Sequence, residues 1–450
     1  MKKVLLFLSI FFCSLKIFPS TKIELRGRKI YLNGEIFVVR GVCYSPIPVG
    51  KNPSNYIWWE EKNYLSDIAK IKQLGANVIR TYSAPQSYHP NFAEFLEKCY
   101  ENGIYVIIGY WVNHGQNFAD TNVRNTEKQN FKKIVNTWKN YPSVIIWCFG
   151  NEVYPSGGSS WKDWYSLIKE VSQEVKNIDS VHLLMNVVNT DYFYGTVGDT
   201  SYGSDDENLS LLDLWGINAY LGYDFKNLFS DYETKTSKPL IITEFGCDSY
   251  DKRYNKEDEF MQANYIVSQW RDIERNLTLN NGVVSGGCVF EWTDEWWKSF
   301  TNSSDSKQDT STDWTDSNYE DFNMNEEWFG IMKISSDNYR NYITTPKKSY
   351  FELQKLWKKF VFAEEKNVYT YPNPATNCEF VKFNLPYDAQ EINIYNIASE
   401  LVKTIKVENV FDTRWYLDNN YYKKVASGVY VFIVKTKSSK IYRNKIVVIK

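Results

Sequence analysis

Eight short apolar runs, separated in most cases by stretches of helical periodicity, limit what this chain can become. The runs are Phe37–Cys43, Asn77–Tyr82, Tyr105–Tyr110, Ser143–Phe149, Leu183–Val188, Leu214–Ala219, Leu240–Phe245 and Gly286–Trp292. Amphipathic segments intervene at Tyr64–Leu74, Asn91–Asn102, Trp161–Asn177 and Lys256–Leu277, and Lys347–Trp357 closes the series. Strands buried on both faces read as continuous apolar runs, and alternation with helices marks βα units around a parallel sheet. Eight such units over roughly 300 residues match the count and size of a closed α/β barrel, the (β/α)8 TIM barrel. An open doubly wound sheet is the rival, but no glycine-rich dinucleotide fingerprint follows the first strand. Lys22 to Asn33 alternates and turns at Arg28 and again at Asn33-Gly34, which predicts an N-terminal β-hairpin plugging the base of the barrel.

Past Phe362 the composition shifts. From Lys366 onward there are 13 basic and 7 acidic residues, in a chain whose overall formal charge is -2. This stretch alternates like strands and carries turn signals at Tyr371-Pro372-Asn373-Pro374 and Ala426-Ser427-Gly428, so residues 366–450 are expected to form a small all-β sandwich domain of their own. The near-neutral balance of charge provides no field for nucleic acid.

At the other end, Lys2 and Lys3 precede the apolar run Val4 to Phe12, too short to span a bilayer. Residues 1–20 therefore read as a secretory signal with cleavage near Ser20, leaving a barrel domain over 21–360. Cys13 offers a lipoprotein alternative, against which stands the bulky Phe12 before it. Cys43, Cys148, Cys247 and Cys288 lie inside apolar runs as small buried hydrophobes. With three His in the chain and no paired Cys/His spacing, no metal and no other cofactor is expected. The polar segment Thr301–Asn325 reads as a solvated loop, with a cleft wall or a calcium site as the sharper alternatives.

Reactive groups of a (β/α)8 barrel stand at the carboxyl ends of the strands. Glu152 follows the fourth run and Glu244 closes the seventh, where a surface charge would sit more naturally in a loop or on a helix face. Two carboxyl groups about 5–5.5 Å apart suffice to cleave a glycosidic bond with retention, one attacking the anomeric carbon and the other protonating the leaving oxygen. Glu244 is the expected nucleophile, kept ionised by Arg80 from the second strand. Glu152 is the expected acid, with Trp147 and Phe149 or a rim aromatic lowering the polarity around it. Asn151 is placed to donate to the sugar 2-hydroxyl, and Tyr220 to bond the nucleophile or ring oxygen. Trp292 serves as the floor under the reacting sugar. Further out, Tyr44, Tyr82, Trp111, Trp296 and Trp297 are candidates for sugar subsites, and His114 for a hydroxyl contact. Asp294, Glu295, Glu326 and Glu327 are expected to be solvated or structural.

The segments Tyr141–Glu152 and Gly286–Glu295 resemble the catalytic domain of glycoside hydrolase family 2 over about 300 residues. The resemblance implies a retaining glycosidase with its acid/base after strand four in an Asn-Glu pair and its nucleophile after strand seven. The sequence departs from that family in lacking the preceding sandwich domains and the histidine that follows the arginine of the second strand. Arg40-Gly41-Val42-Cys43-Tyr44-Ser45-Pro46, Arg80-Thr81-Tyr82 and Ile242–Cys247 are also similar to the β-1,3-glucanosyltransferases of family 72. Tyr371–Pro374, Asn393–Ile397 and Ser427–Tyr430 resemble the immunoglobulin-like C-terminal sorting modules of exported bacterial proteins, implying a partner in export or cell-surface machinery. The expected function is a secreted or cell-surface β-glycosidase or transglycosylase acting on a β-linked glucan or related polysaccharide. A non-catalytic carbohydrate-binding protein on the same barrel is the alternative.

Overall fold

The computed structural model describes residues 21–298, 304–336, 341–365, 368–386, 389–408, 413–436 and 441–450. The expected signal segment and Cys13 lie outside them. Eight parallel strands close into a barrel: β1 (Val39–Cys43), β2 (Val78–Arg80), β3 (Tyr105–Tyr110), β4 (Val144–Asn151), β5 (Leu183–Asn189), β6 (Leu214–Asn218), β7 (Leu240–Phe245) and β8 (Val284–Val289). Closure is by β8 against β1, with Gly286 opposite Val39 and Val289 opposite Val42. The first and last strands are shorter than their apolar runs, because Phe37 and Phe290 to Trp292 already belong to the connections.

The outer layer is α1 (Tyr64–Leu74), α2 (Pro90–Glu101), α3 (Thr121–Trp138), α4 (Trp161–Ile178), α5 (Thr190–Thr196), α6 (Leu228–Lys235), α7 (Glu259–Arg275) and α8 (Lys348–Glu365). Local chemistry sets several of their starts. Asp120 caps α3 by accepting from the amides of Asn122 and Val123, and Ser160 with Asp163 forms a capping box at α4. Helix α7 begins three residues later than its periodicity suggests, since Lys256 and Glu257 pair with Tyr250 and Asp251 and Asp258 then caps the helix.

The N-terminal segment is a three-stranded antiparallel sheet, Ile23–Arg26, Lys29–Leu32 and Glu35–Ile36. Its bonds run to the amino ends of barrel strands. Arg28 donates to the carbonyls of Thr236 and Lys238, Ser285 donates back to Arg28, and Thr21 donates to Pro142. The sheet thus lies against the base of the barrel and leaves the opposite mouth free.

After α8 the regular elements among the described residues are all β. Tyr369–Tyr371, Val381–Asn384 and Arg414–Trp415 form one sheet, and Ala375–Thr376, Ile441–Ile449, Gly428–Thr436, Ala389–Asn396 and Leu401–Lys406 another. Trp415, Phe432, Ile392 and Val448 belong to a shared apolar core. Among the described residues no helix is long and apolar enough to cross a membrane.

Candidate active site

Arg80 ends β2 almost fully buried, and three oxygen acceptors from other strands organise around it. One terminal nitrogen donates to Glu244 Oε1 at 2.8 Å and to the Thr243 carbonyl at 3.1 Å, and the other donates to Asn151 Oδ1 at 2.6 Å. Glu244, buried at the end of β7, also accepts from Tyr82 Oη at 2.6 Å and from Tyr220 Oη at 2.8 Å. Burial and the neighbouring negative charge hold both phenols well above their ordinary range, so they remain donors.

Glu152 is reached by a strained turn. Gly150 (φ 77°) and Glu152 (φ 51°) both adopt left-handed backbone, a conformation that side-chain-bearing residues hold only when surroundings enforce it. The Glu152 amide donates to the Val187 carbonyl at 2.9 Å, which fixes the turn on β5. Its Oε1 accepts from Asn218 Nδ2 at 2.8 Å, and the same amide reaches Asn151 Oδ1 at 3.2 Å. Asn218 in turn accepts from Thr243 Oγ1 at 2.8 Å. Gly216 permits this: a Cβ there would stand 2.6 Å from Thr243 Cγ2 and 2.7 Å from Val187 Cγ2.

A chain of bonds therefore joins the two carboxyl groups, from Glu244 through Arg80 and Asn151 to Asn218 and Glu152. Their environments are opposite. Burial, reinforced by the charge of Glu244, pushes Glu152 up to about 7, against the pull of the Asn218 bond. Glu244 is instead surrounded by a guanidinium and two phenols. One carboxyl that holds its proton near neutral pH and one that accepts three donors can act together on a single polar bond.

The remaining expected site residues divide. Asn151 and Tyr220 stand in this network. His114 lies half-buried beside the Asn151 backbone, its imidazole lowered by burial. Tyr44 does not face the mouth: it is buried, donates to Asp67 Oδ2 at 3.0 Å and packs edge-on against Trp58. Trp292 is likewise fully buried, edge to Tyr350, and has no face to set under a sugar. Trp147 and Phe149 point into the helix layer rather than toward Glu152. Trp147 donates to Asp179 at 2.7 Å, and Phe149 stacks between Tyr110 and Trp164.

Other groups of the site carry little signal in the sequence. Asn218 gave no signal beyond its place at the end of a strand, and Tyr82 read only as a subsite ring. Asp294 and Glu327 are structural, as expected: Asp294 pairs with Lys347 at 2.7 Å, and Glu327 accepts from the amide of Asp309. Glu295 and Glu326 instead share Lys298 beside the mouth. Burial pushes Glu295 up to about 7 against the pull of Lys298, with Glu326 and Glu244 adding to it. The described part of the polar loop folds over the mouth, where Trp314 meets Tyr220 with ring centroids 6.1 Å apart. Among the described residues no cluster of three His, Cys, Asp or Glu is placed to hold a metal.

A closed eight-stranded barrel with two unlike carboxyl groups at the carboxyl ends of β4 and β7 is a TIM barrel of glycosidase type. The family profile described as Glycosyl hydrolases family 2, TIM barrel domain, matches residues 23–362, and the chain belongs to that family. A second profile, Secretion system C-terminal sorting domain, matches residues 369–450 and marks the chain for export out of the cytoplasm. Among curated relatives, the 1,3-beta-glucanosyltransferase gel1 of Aspergillus fumigatus is 26% identical over 292 residues, covering 61% of this chain and 59% of that protein. The beta-galactosidase of Priestia megaterium is 29% identical over 250 residues, covering 51% of this chain and 23% of that protein. The chain thus spans less than two thirds of the relatives it matches. Among solved structures, a beta-glucuronidase of Bacteroides uniformis superposes with a TM-score of 0.51 at 16% identity, over 95% of this chain and 48% of that one, a likeness of fold alone.

Proposed function

We propose that the protein is an exported retaining β-glycosidase acting on a β-linked glucan or related polysaccharide by double displacement. The observation that carries this reading is the split between Glu152, protonated up to about pH 7, and Glu244, facing Arg80, Tyr82 and Tyr220.

In the first half, a Glu244 oxygen attacks the anomeric carbon. The bond from that carbon to the leaving oxygen breaks with its electron pair on oxygen, which takes the proton of Glu152. The anionic nucleophile meanwhile loses its charge, and the Tyr220 hydroxyl is freed to turn toward the ring oxygen. In the second half, the Glu152 carboxylate takes a proton from a water or sugar hydroxyl as its oxygen attacks the anomeric carbon, and the ester bond to Glu244 breaks. Arg80 and Asn218 hold both carboxyls in place throughout, and Asn151 is left with its amide nitrogen to offer the 2-hydroxyl.

The similarity to glucanosyltransferases favours a β-glucan among the sugars the family handles. The test is a panel of β-1,3-, β-1,4- and β-1,6-linked glucans, mannans and galactosides, followed by release of reducing ends and by product analysis. Turnover of at least one β-glucan by the wild type, abolished in Glu244→Gln, supports the reading. Binding to these polymers without turnover overturns it in favour of a non-catalytic binding protein.

A further inference from the structure

The loops after β3 and β4, with the starts of α4 and α5, carry a line of rings that the chemistry above does not use. Trp111 stacks on His114 with centroids 5.5 Å apart and planes 16° apart, and His114 meets Tyr154 edge-on at 4.9 Å. Tyr154 then approaches Tyr192 at 6.3 Å, which packs on Trp161 at 4.9 Å. The outer rings face solvent, Trp111 being 51% and Tyr154 44% exposed. The surface of each ring that His114 and Tyr192 do not cover is left open to solvent.

The two loops touch each other. Ser156 Oγ donates to the His114 carbonyl, and a Cβ at Gly157 would touch the Gly115 carbonyl at 3.4 Å and the Asn117 amide at 3.5 Å. Gly157 has φ 61°, so the turn itself favours glycine, while the two loops lie at van der Waals distance there. The row starts at the acid: Tyr154 is two residues past Glu152, Tyr192 lies within electrostatic range of it, and His114 sits against the backbone of Asn151.

The side matters. A general acid sits on the leaving-group side of the bond it protonates, and the same side receives the acceptor when the intermediate is resolved. The nucleophile Glu244, with Arg80, Tyr82 and Tyr220 bonded to it, serves the transferred ring instead. Flat rings with electron-rich faces attract the positive C–H edges of a pyranose, and they do so without a charge.

Building on the glycosidase reading above, we propose that Trp111 and Tyr154, braced by His114, form the binding site for the leaving and acceptor sugar, a neutral β-linked glucosyl unit, and that its occupancy diverts the glycosyl-enzyme from water to sugar. An acceptor hydroxyl held there gives its proton to Glu152 while its oxygen bonds to the anomeric carbon. The bond to Glu244 breaks with its electron pair returning to the carboxylate.

The test uses the full chain with a 4-nitrophenyl β-1,3-gluco-oligosaccharide as donor and reduced laminaritriose as acceptor. Nitrophenol reports formation of the intermediate, and chromatography reports its partition between hydrolysis and transfer. Trp111→Ala and Tyr154→Ala are expected to lower the transfer-to-hydrolysis ratio at least tenfold and to raise the acceptor concentration for half-maximal transfer at least tenfold. Nitrophenol release, whose leaving group is no sugar, falls far less. Trp111→Phe and Tyr154→Phe, which keep a ring, retain most of the transfer. An unchanged ratio in both alanine variants, or a wild type that releases nitrophenol yet never transfers to laminaritriose, overturns the proposal. A wild type that releases no nitrophenol overturns the β-glucan reading itself.

Discussion

Asn218 donates to Glu152 across 2.8 Å while its own carbonyl accepts from Thr243 on the neighbouring strand. The amide that orients one carboxyl is thus fixed by the residue preceding the other. Because this bond favours the charged form of Glu152, its loss raises the pKa further. Asn218→Ala is expected to move the alkaline limb of kcat/KM to higher pH. Its kcat falls, but by less than the about 10²–10⁴-fold that loss of the general acid costs. A pH–rate profile of wild type and variant checks both; a limb that stays in place contradicts the role given to Asn218.

Glu152 must be protonated for the first step, so wild-type kcat/KM is expected to decline as pH rises through about 7. In Glu152→Ala that limb disappears. An aryl glycoside with an activated leaving group, which needs no proton, remains a usable donor, and azide restores turnover by taking the place of the base-activated acceptor. The product is the β-glycosyl azide. Measurement is by nitrophenol release with and without azide, and no rescue at any azide concentration contradicts the assignment.

Stability follows the same group. Glu152 has an ordinary carboxyl pKa of 4.5 in the unfolded chain and about 7 when folded, so between these values the native state keeps a proton that the unfolded state has lost. The stabilisation from this group is full below pH 4.5 and is lost as pH rises to about 7. Glu152→Gln cannot ionise, and its Tm should rise relative to wild type between pH 5 and 8. Glu295 titrates in the same window but is common to both proteins, so it cancels in the comparison. Parallel Tm curves contradict the raised pKa.

Arg80 and Glu244 form a buried pair, with side chains 1% and 8% exposed. Removing one partner of a buried pair costs about 3–5 kcal/mol, because the remaining charge has no water to replace the lost contact. Arg80→Ala is expected to lose stability of that order as well as activity. Arg80→Lys keeps the charge and recovers part of the stability. A single ammonium cannot reproduce the fork that spans Glu244 and Asn151, so the activity stays low. Chemical denaturation together with aryl-glycoside kinetics separates the two effects.

Much of the fold was legible because strands buried on both faces read as continuous apolar runs, while segments such as Tyr64–Leu74 and Trp161–Asn177 between them keep the helical period. Glu152 and Glu244 stood out for a related reason: a carboxylate at the end of an apolar strand conflicts with its neighbours unless something uses it. Arg80 and Tyr220 followed from the barrel's geometry. Trp292 and Tyr44 misled because closeness in sequence to a strand end does not say which way a side chain points. The chain turns after Val289, and Trp292 goes into the core. Asn218 and Thr243 were hidden for another reason: their roles depend on strand register between β6 and β7, which pairs Glu244 with Asn218 and which a single sequence does not encode visibly. Glu295 and Glu326 read as solvated or structural acids, and only the folded connection after β8 brings Glu326 to the Lys298 that Glu295 also pairs with.

In the proposed mechanism Glu244 forms a covalent bond to the sugar. A 2-deoxy-2-fluoro β-glycoside with an activated leaving group slows the second step more than the first, so the intermediate accumulates. Digestion and mass spectrometry of the inactivated protein should show one fluoroglycosyl increment on the peptide containing Glu244, and none in Glu244→Gln. A label on Glu152 or on any other residue, or turnover that yields the α-configured product with no adduct, would contradict it.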